Sequence, residues 1–145
     1  MLILVSACLL GIHCRYDGKC TDNMTFPDGV IPIPFCPEAY GGLATPRPPA
    51  EIRDGRVINN RGEDVTAQYQ RGAEEAAALC LRLHIDTAVM QDKSPSCGEG
   101  AVHNGLFDGG LVPGDGMAVS CLKRSGVRVL RASFVRAHPS ILFER

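Results

Sequence analysis

Hydrophobic positions fall into two rhythms along this chain. Leu2–Ser6 ("LILVS") is a short unbroken apolar run bounded by small residues, the pattern of a buried strand. Ile85–Gln91 ("IDTAVMQ") and Val127–Ala132 ("VRVLRA") read as further strands. Ile31–Phe35 ("IPIPF") is a weaker one, because Pro32 and Pro34 each lack an N–H and restrict it to an edge or to irregular backbone. The other rhythm is helical. Tyr69, Ala73, Ala76, Ala77, Cys80 and Leu83 recur at three-to-four spacing and form one narrow apolar face. This predicts a helix that starts at a cap, Asp64 or Thr66, and ends near Leu83. A shorter helix is expected from a cap at Asp115 to about Arg124, with Gly126 suited to its end. Each helix runs into a strand after a short turn. Such alternation predicts an α/β fold in a single domain, 1–145: a small Rossmann-like, mainly parallel sheet flanked by helices.

Composition adds the loops. Sixteen glycines and ten prolines concentrate at 27–50 and 95–116, which predicts long structured loops on the sheet. In parallel sheets, ligands bind at loops beyond the carboxyl ends of the strands. A formal net charge of −1 gives no basic footprint for nucleic acid or an anionic membrane. No apolar run approaches the ~20 residues that span a bilayer. "VSAC" resembles a lipoprotein cleavage box, yet only seven residues precede Cys8 and none is Lys or Arg. A signal needs a basic region and an apolar core of about 7–15 residues. The expectation is a cytoplasmic protein, a monomer or weak homo-oligomer, whose partner is a small molecule.

Seven cysteines change the picture most. A disulfide framework does not suit a reducing compartment. Cys80 and Cys121 fall on helix faces and read as small core residues. Cys8, Cys36 and Cys97 each follow a predicted strand, and parallel strands would bring all three to one edge of the sheet. In "FCPE", Pro37 suits a first helical position and Glu38 a first turn. That leaves Cys36 at the N-cap, where the helix dipole favours a thiolate. In "KSPSCG", Pro95 holds Ser94 out of helical geometry and Gly98 permits a tight turn after the thiol. Cys14 could complete a set of four, whereas Cys20 sits in a polar loop and reads as incidental. No CxxC pair of the kind structural zinc favours is present. Three thiolates suit an iron–sulfur cluster with one open iron, but spacing alone does not choose between iron–sulfur and zinc. A zinc-binding interaction module, a cofactor-free thiol enzyme and a sulfur carrier using Cys36 or Cys97 are the competing readings. His13 and Arg15 are candidate pocket residues. Arg47, in a proline-stiffened loop, could fix a carbonyl or carboxylate or pair with Glu51.

Four motifs in order, "CLLGIHCRYDG", "FCPEAYGGLATPRPPAEI", "DVTAQYQRGA" and "KSPSCG", closely resemble a bacterial family that includes the [4Fe-4S]-dependent 2-thiouracil desulfidases. The resemblance runs from Met1 to about Arg131. It implies a [4Fe-4S] cluster held by Cys8, Cys36 and Cys97, with Glu38 and Ser94 as catalytic side chains. It also implies a thiolated pyrimidine as substrate, hydrolysed to the oxo compound and sulfide. The stretch "EGAVHNGLFDGGLVPGDG" follows the family pattern only loosely, and "SFVRAHPSILFER" lies outside it.

Overall fold

The computed structural model describes residues 1–144. In chain order the elements are β1 (Leu2–Ser6), a 3-10 turn (Ala7–Leu9), β2 (Ile31–Phe35), α1 (Pro37–Tyr40), β3 (Ala50–Arg53), β4 (Arg56–Asn59), α2 (Thr66–Leu83), β5 (Thr87–Met90), β6 (Ala101–His103), β7 (Leu111–Pro113), α3 (Met117–Arg124), β8 (Arg128–Arg131), α4 (Ala132–Ala137) and a closing 3-10 segment (Pro139–Phe143). Four strands pair in the order β2-β1-β5-β8, and every pairing is parallel. This is the flanked parallel sheet that the alternation predicts.

The prolines of β2 sit where they cost least. β2 is an edge strand with β1 as its partner. Ile31 N–H donates to Met1 O at 2.8 Å, so the alternate positions, 32 and 34, face away from β1 and lose no ladder bond. Both faces of the sheet are covered, which is why its inner strands read as apolar runs. Leu4, Ala88 and Met90 pack beneath α2 and α3, against Ala73, Ala76 and Leu122. The alternate residues Ile3, Val5 and Val89 pack on the other face with Ala132, Val135 and Leu142.

The two main helices start differently. Val65 is the N-cap of α2, and the Asp64 carboxylate accepts the Thr66 N–H at 2.9 Å. Asp115, expected to cap α3, does not; Gly116 occupies that position. The first N–H groups of α3 donate instead to the loop before it, Met117 to Pro95 O at 2.7 Å and Ala118 to Ser96 O at 3.0 Å. Asp115 is thereby free to accept the Gly100 N–H at 2.7 Å and to pair with Lys123 at 3.0 Å. The amino end of α3 thus props the "SPSCG" loop.

Two hairpins stand outside the main sheet, β3–β4 and β6–β7. The first closes on Asp54–Gly55, both left-handed at φ 51° and 76°. Two positive φ values in a two-residue loop match the twist of the strands they join. No helix among the described residues is long and apolar enough to cross a membrane.

Helix α1 lies backbone-to-backbone on α2. A Cβ at Gly72 would stand 1.8 Å from Pro37 O, and one at Gly41 would stand 2.0 Å from Gln68 O. Alanine at 72 would gain about 1 kcal/mol of helix propensity. The clash is with backbone, so relief requires moving α1, an overpacking cost of roughly 1–3 kcal/mol or more. Gly72→Ala is therefore expected to lower the urea midpoint of unfolding and to displace Cys36 and Glu38. A raised midpoint would show that α1 is not seated this tightly.

Candidate active site

Each of three strands delivers a cysteine at its carboxyl end. Cys8 lies in the 3-10 turn after β1, Cys36 is the N-cap of α1 directly after β2, and Cys97 sits in the loop after β5. All three line one cavity of about 470 Å³ together with Cys14, Glu38 and Ser94. That volume falls in the range of small-molecule and cofactor sites. Arg15 is also on the wall, whereas His13 is exposed and outside it. Cys80 is 1% exposed in the core, where burial pushes its thiol up to about 11. Cys121 packs half-buried against the same core, and Cys20 is half-buried outside the cavity wall.

The thiols are not equivalent. The Cys14 thiol hydrogen-bonds to the sulfurs of Cys36 and Cys8, and these bonds, with burial, hold its proton far above the usual thiol range. The same bonds lower its neighbours. Cys36 falls to about 6, chiefly through Cys14, against burial and with help from the Ala39 N–H of the first helical turn. Cys8 falls to about 7 through Cys14, against burial and with help from Thr21. Burial dominates at Cys97 and pushes it up to about 12, although Ser6 and Ser96 pull the other way. Metal ligation requires the thiolate. Cys8 and Cys36 are ready as thiolates near neutral pH, while Cys14 is built as a donor to them.

Glu38 occupies the centre of a second network. Oε1 accepts Arg47 Nε at 3.0 Å, and Oε2 accepts Ser96 Oγ–H at 2.6 Å. The Tyr69 hydroxyl also bonds to Glu38; burial first, and then the Glu38 charge, keeps that phenol protonated and a donor. Arg47 continues to Cys14 O at 2.8 Å and Ala44 O at 3.2 Å, which ties both networks together. The expectation that Arg47 pairs with Glu51 is corrected by this geometry. Glu51 instead accepts the N–H groups of Gly105 and Phe107 at 3.0 and 3.1 Å, pinning the loop after β6.

Ser94 lies beside that network. Its Oγ accepts the Cys97 N–H at 2.7 Å and stands 3.3 Å from Ser96 Oγ. Ser96 has one hydroxyl proton. The 2.6 Å contact to Glu38 claims it in preference to the 3.6 Å contact to Cys97 Sγ. Ser94 must then be the donor in its contact with Ser96. The result is a directed chain, Ser94 O–H to Ser96 O–H to the Glu38 carboxylate. Ser96 and Tyr69 are functional residues that the sequence reading missed. Both belong to motifs it quoted, "KSPSCG" and "DVTAQYQRGA".

Donor chemistry also bears on the metal. Among the described residues, no three Cys, His, Asp or Glu side chains converge on a point that would hold a single ion. Structural zinc needs four convergent ligands. In a [4Fe-4S] cluster each cysteine takes a different iron, so the ligand sulfurs stand apart around a cavity. Three separated thiols on one cavity wall fit the cluster better than zinc.

Comparison with known proteins agrees with this architecture. TudS, solved as a [4Fe-4S]-dependent thiouracil desulfidase, superposes with a TM-score of 0.85 at 39% identity and covers 97% of both chains. YbbK of Bacillus subtilis (strain 168), an uncharacterized protein, is 37% identical over 142 residues, which is 89% of this chain and 94% of YbbK. The family model for 2-thiouracil desulfurase matches residues 3–133, a span that takes in all four cavity cysteines, Glu38 and both loop serines. By that match, this chain belongs to the 2-thiouracil desulfurase family.

Proposed function

We propose that this protein is a [4Fe-4S]-dependent desulfidase that hydrolyses a thiolated pyrimidine such as 2-thiouracil to the oxo compound and sulfide. The observation that carries the reading is the joint placement of strand-end thiols and a fully hydrogen-bonded Glu38 on one cavity. TudS supports it by fold and identity. Cys8, Cys36 and Cys97 would hold the cluster, each from the end of a different parallel strand. Cys14 would donate its S–H to the sulfurs of Cys8 and Cys36. Bound there, the cluster would supply a Lewis-acidic iron with no protein ligand and an affinity for sulfur.

The chain's own groups handle the protons. A water seated against Ser94 passes a proton to Ser94 Oγ as Ser94 gives its own to Ser96 and Ser96 gives its own to Glu38. Glu38 returns a proton when the product is released, the two-way role of a general acid/base. Arg47 and Tyr69 hold the carboxylate in place so that little reorganisation accompanies transfer. No electron leaves the substrate: C=S is replaced by C=O, water supplies the oxygen, and sulfide carries away the electron pair. A reducing compartment, the cytoplasm, suits seven free cysteines.

Anaerobic purification tests the cofactor. The protein should be brown, absorb broadly in the visible and carry iron and acid-labile sulfide near four each per chain, the stoichiometry of the cluster type. A colourless protein with zinc, or with one hyper-reactive thiol and no metal, would favour the zinc module or the cofactor-free thiol enzyme.

A further inference from the structure

His103, the last residue of β6, lines the same cavity as the thiols. Its Nδ1 is buried and has no hydrogen-bond partner among the described residues. A buried ring nitrogen without a partner is costly, so native structures rarely keep one without a use. Its surroundings do not let it drift away. The His103 N–H donates to Lys93 O at 3.3 Å, and β6 forms a bridge at Lys93, the residue before Ser94. Beyond it, Glu51 and Arg53 clamp the following loop, with Arg53 donating to Gly105 O at 2.6 Å. That clamp holds Phe107, also on the cavity wall, in left-handed backbone at φ 55°. Non-glycine residues held in that region cluster at ligand sites.

We infer that His103 reads the polar ring edge of the substrate, the N–H and C=O groups away from the sulfur, while Phe107 offers a face to the planar ring. The inference rests on the desulfidase reading and deepens it. A half-turn about Cβ–Cγ exchanges Nδ1 with Cδ2 and leaves the backbone in place. A ring N–H or C=O entering the cavity draws the nitrogen to that side by supplying the partner it lacks. An imidazole can accept from one and donate to the other. The substrate class is therefore a six-membered thio-heterocycle with an amide-like edge, in preference to simple thioureas or thiopyrimidines that lack one.

The test uses the anaerobic, cluster-loaded protein and two sulfur-free inhibitors, so that binding is read without chemistry. Uracil carries the amide edge, and 2-hydroxypyrimidine lacks its second carbonyl. His103→Leu should raise the inhibition constant for uracil about tenfold, the size of one lost hydrogen bond, and leave that for 2-hydroxypyrimidine nearly unchanged. The KM for 2-thiouracil should rise by more than kcat falls. His103→Gln, which restores a donor and an acceptor, should recover most of the uracil affinity. Visible absorbance should be retained in both variants. Equal weakening of both inhibitors, no weakening of either, or loss of absorbance in both variants would overturn the assignment. If the wild-type protein keeps its cluster and releases no sulfide from 2-thiouracil, the desulfidase reading fails instead, and the uracil measurement still decides the role of His103.

Discussion

Serine at Cys8, Cys36 or Cys97 is expected to abolish the visible absorbance and most of the bound iron. Each of these thiols comes from the end of a different strand, so none can substitute for another without moving the sheet. Serine keeps the size of the side chain and removes the soft thiolate that iron–sulfur binding needs. Cys80→Ala should keep full colour, because that thiol is buried beneath α2 away from the cavity. Cys14→Ser separates ligand from neighbour. A residue that hydrogen-bonds ligands typically costs 10–100-fold in metal affinity when lost, not the whole site. Cys14→Ser should therefore retain the cluster and release iron faster to a chelator. If Cys14→Ser is colourless and Cys97→Ser is brown, the two roles are exchanged.

Glu38→Gln should fold, stay brown and lose roughly a hundred- to ten-thousand-fold in turnover, the usual range for a general acid/base. Glutamine keeps a carbonyl oxygen that can accept from Arg47 or from Ser96, but it cannot take a proton at neutral pH. The ion pair with Arg47 is nearly buried, with side chains 13% and 5% exposed, so some loss of stability accompanies the change. Colour and turnover are separate readings: an intact cluster with undiminished sulfide release would remove Glu38 from the mechanism. A colourless variant would show that the carboxylate serves assembly instead.

The sheet was legible because its signals are local. Leu2–Ser6 is the strand its apolar run predicts, and α2 follows the alanine-rich face to Leu83. The edge position of β2 could be read from two prolines. Strand-end cysteines could be placed at one edge once the strands were taken as parallel. The hairpin at Asp54–Gly55 was missed although its two-residue turn is a strong short-range sign. The α4 segment was missed because it adds only six residues, directly after β8. Asp115 misled because it looks like a cap, while α3 finds its acceptors in the Pro95 and Ser96 carbonyls. The Glu38 network lay beyond local reading altogether. Ser96 meets Glu38 across 58 positions and reads in isolation as a turn serine. Arg47 had two carboxylates within reach along the chain, and only packing decides that Glu38 takes its side chain while Glu51 turns to the loop of Phe107.

One reaction tests the central claim most directly: cluster-loaded protein and 2-thiouracil, incubated without oxygen in water enriched in oxygen-18. The account predicts one sulfide released for each uracil formed, with one heavy oxygen in that uracil, and no product from protein stripped of iron. Uracil without the label, or no sulfide from protein whose cluster is intact, would contradict it.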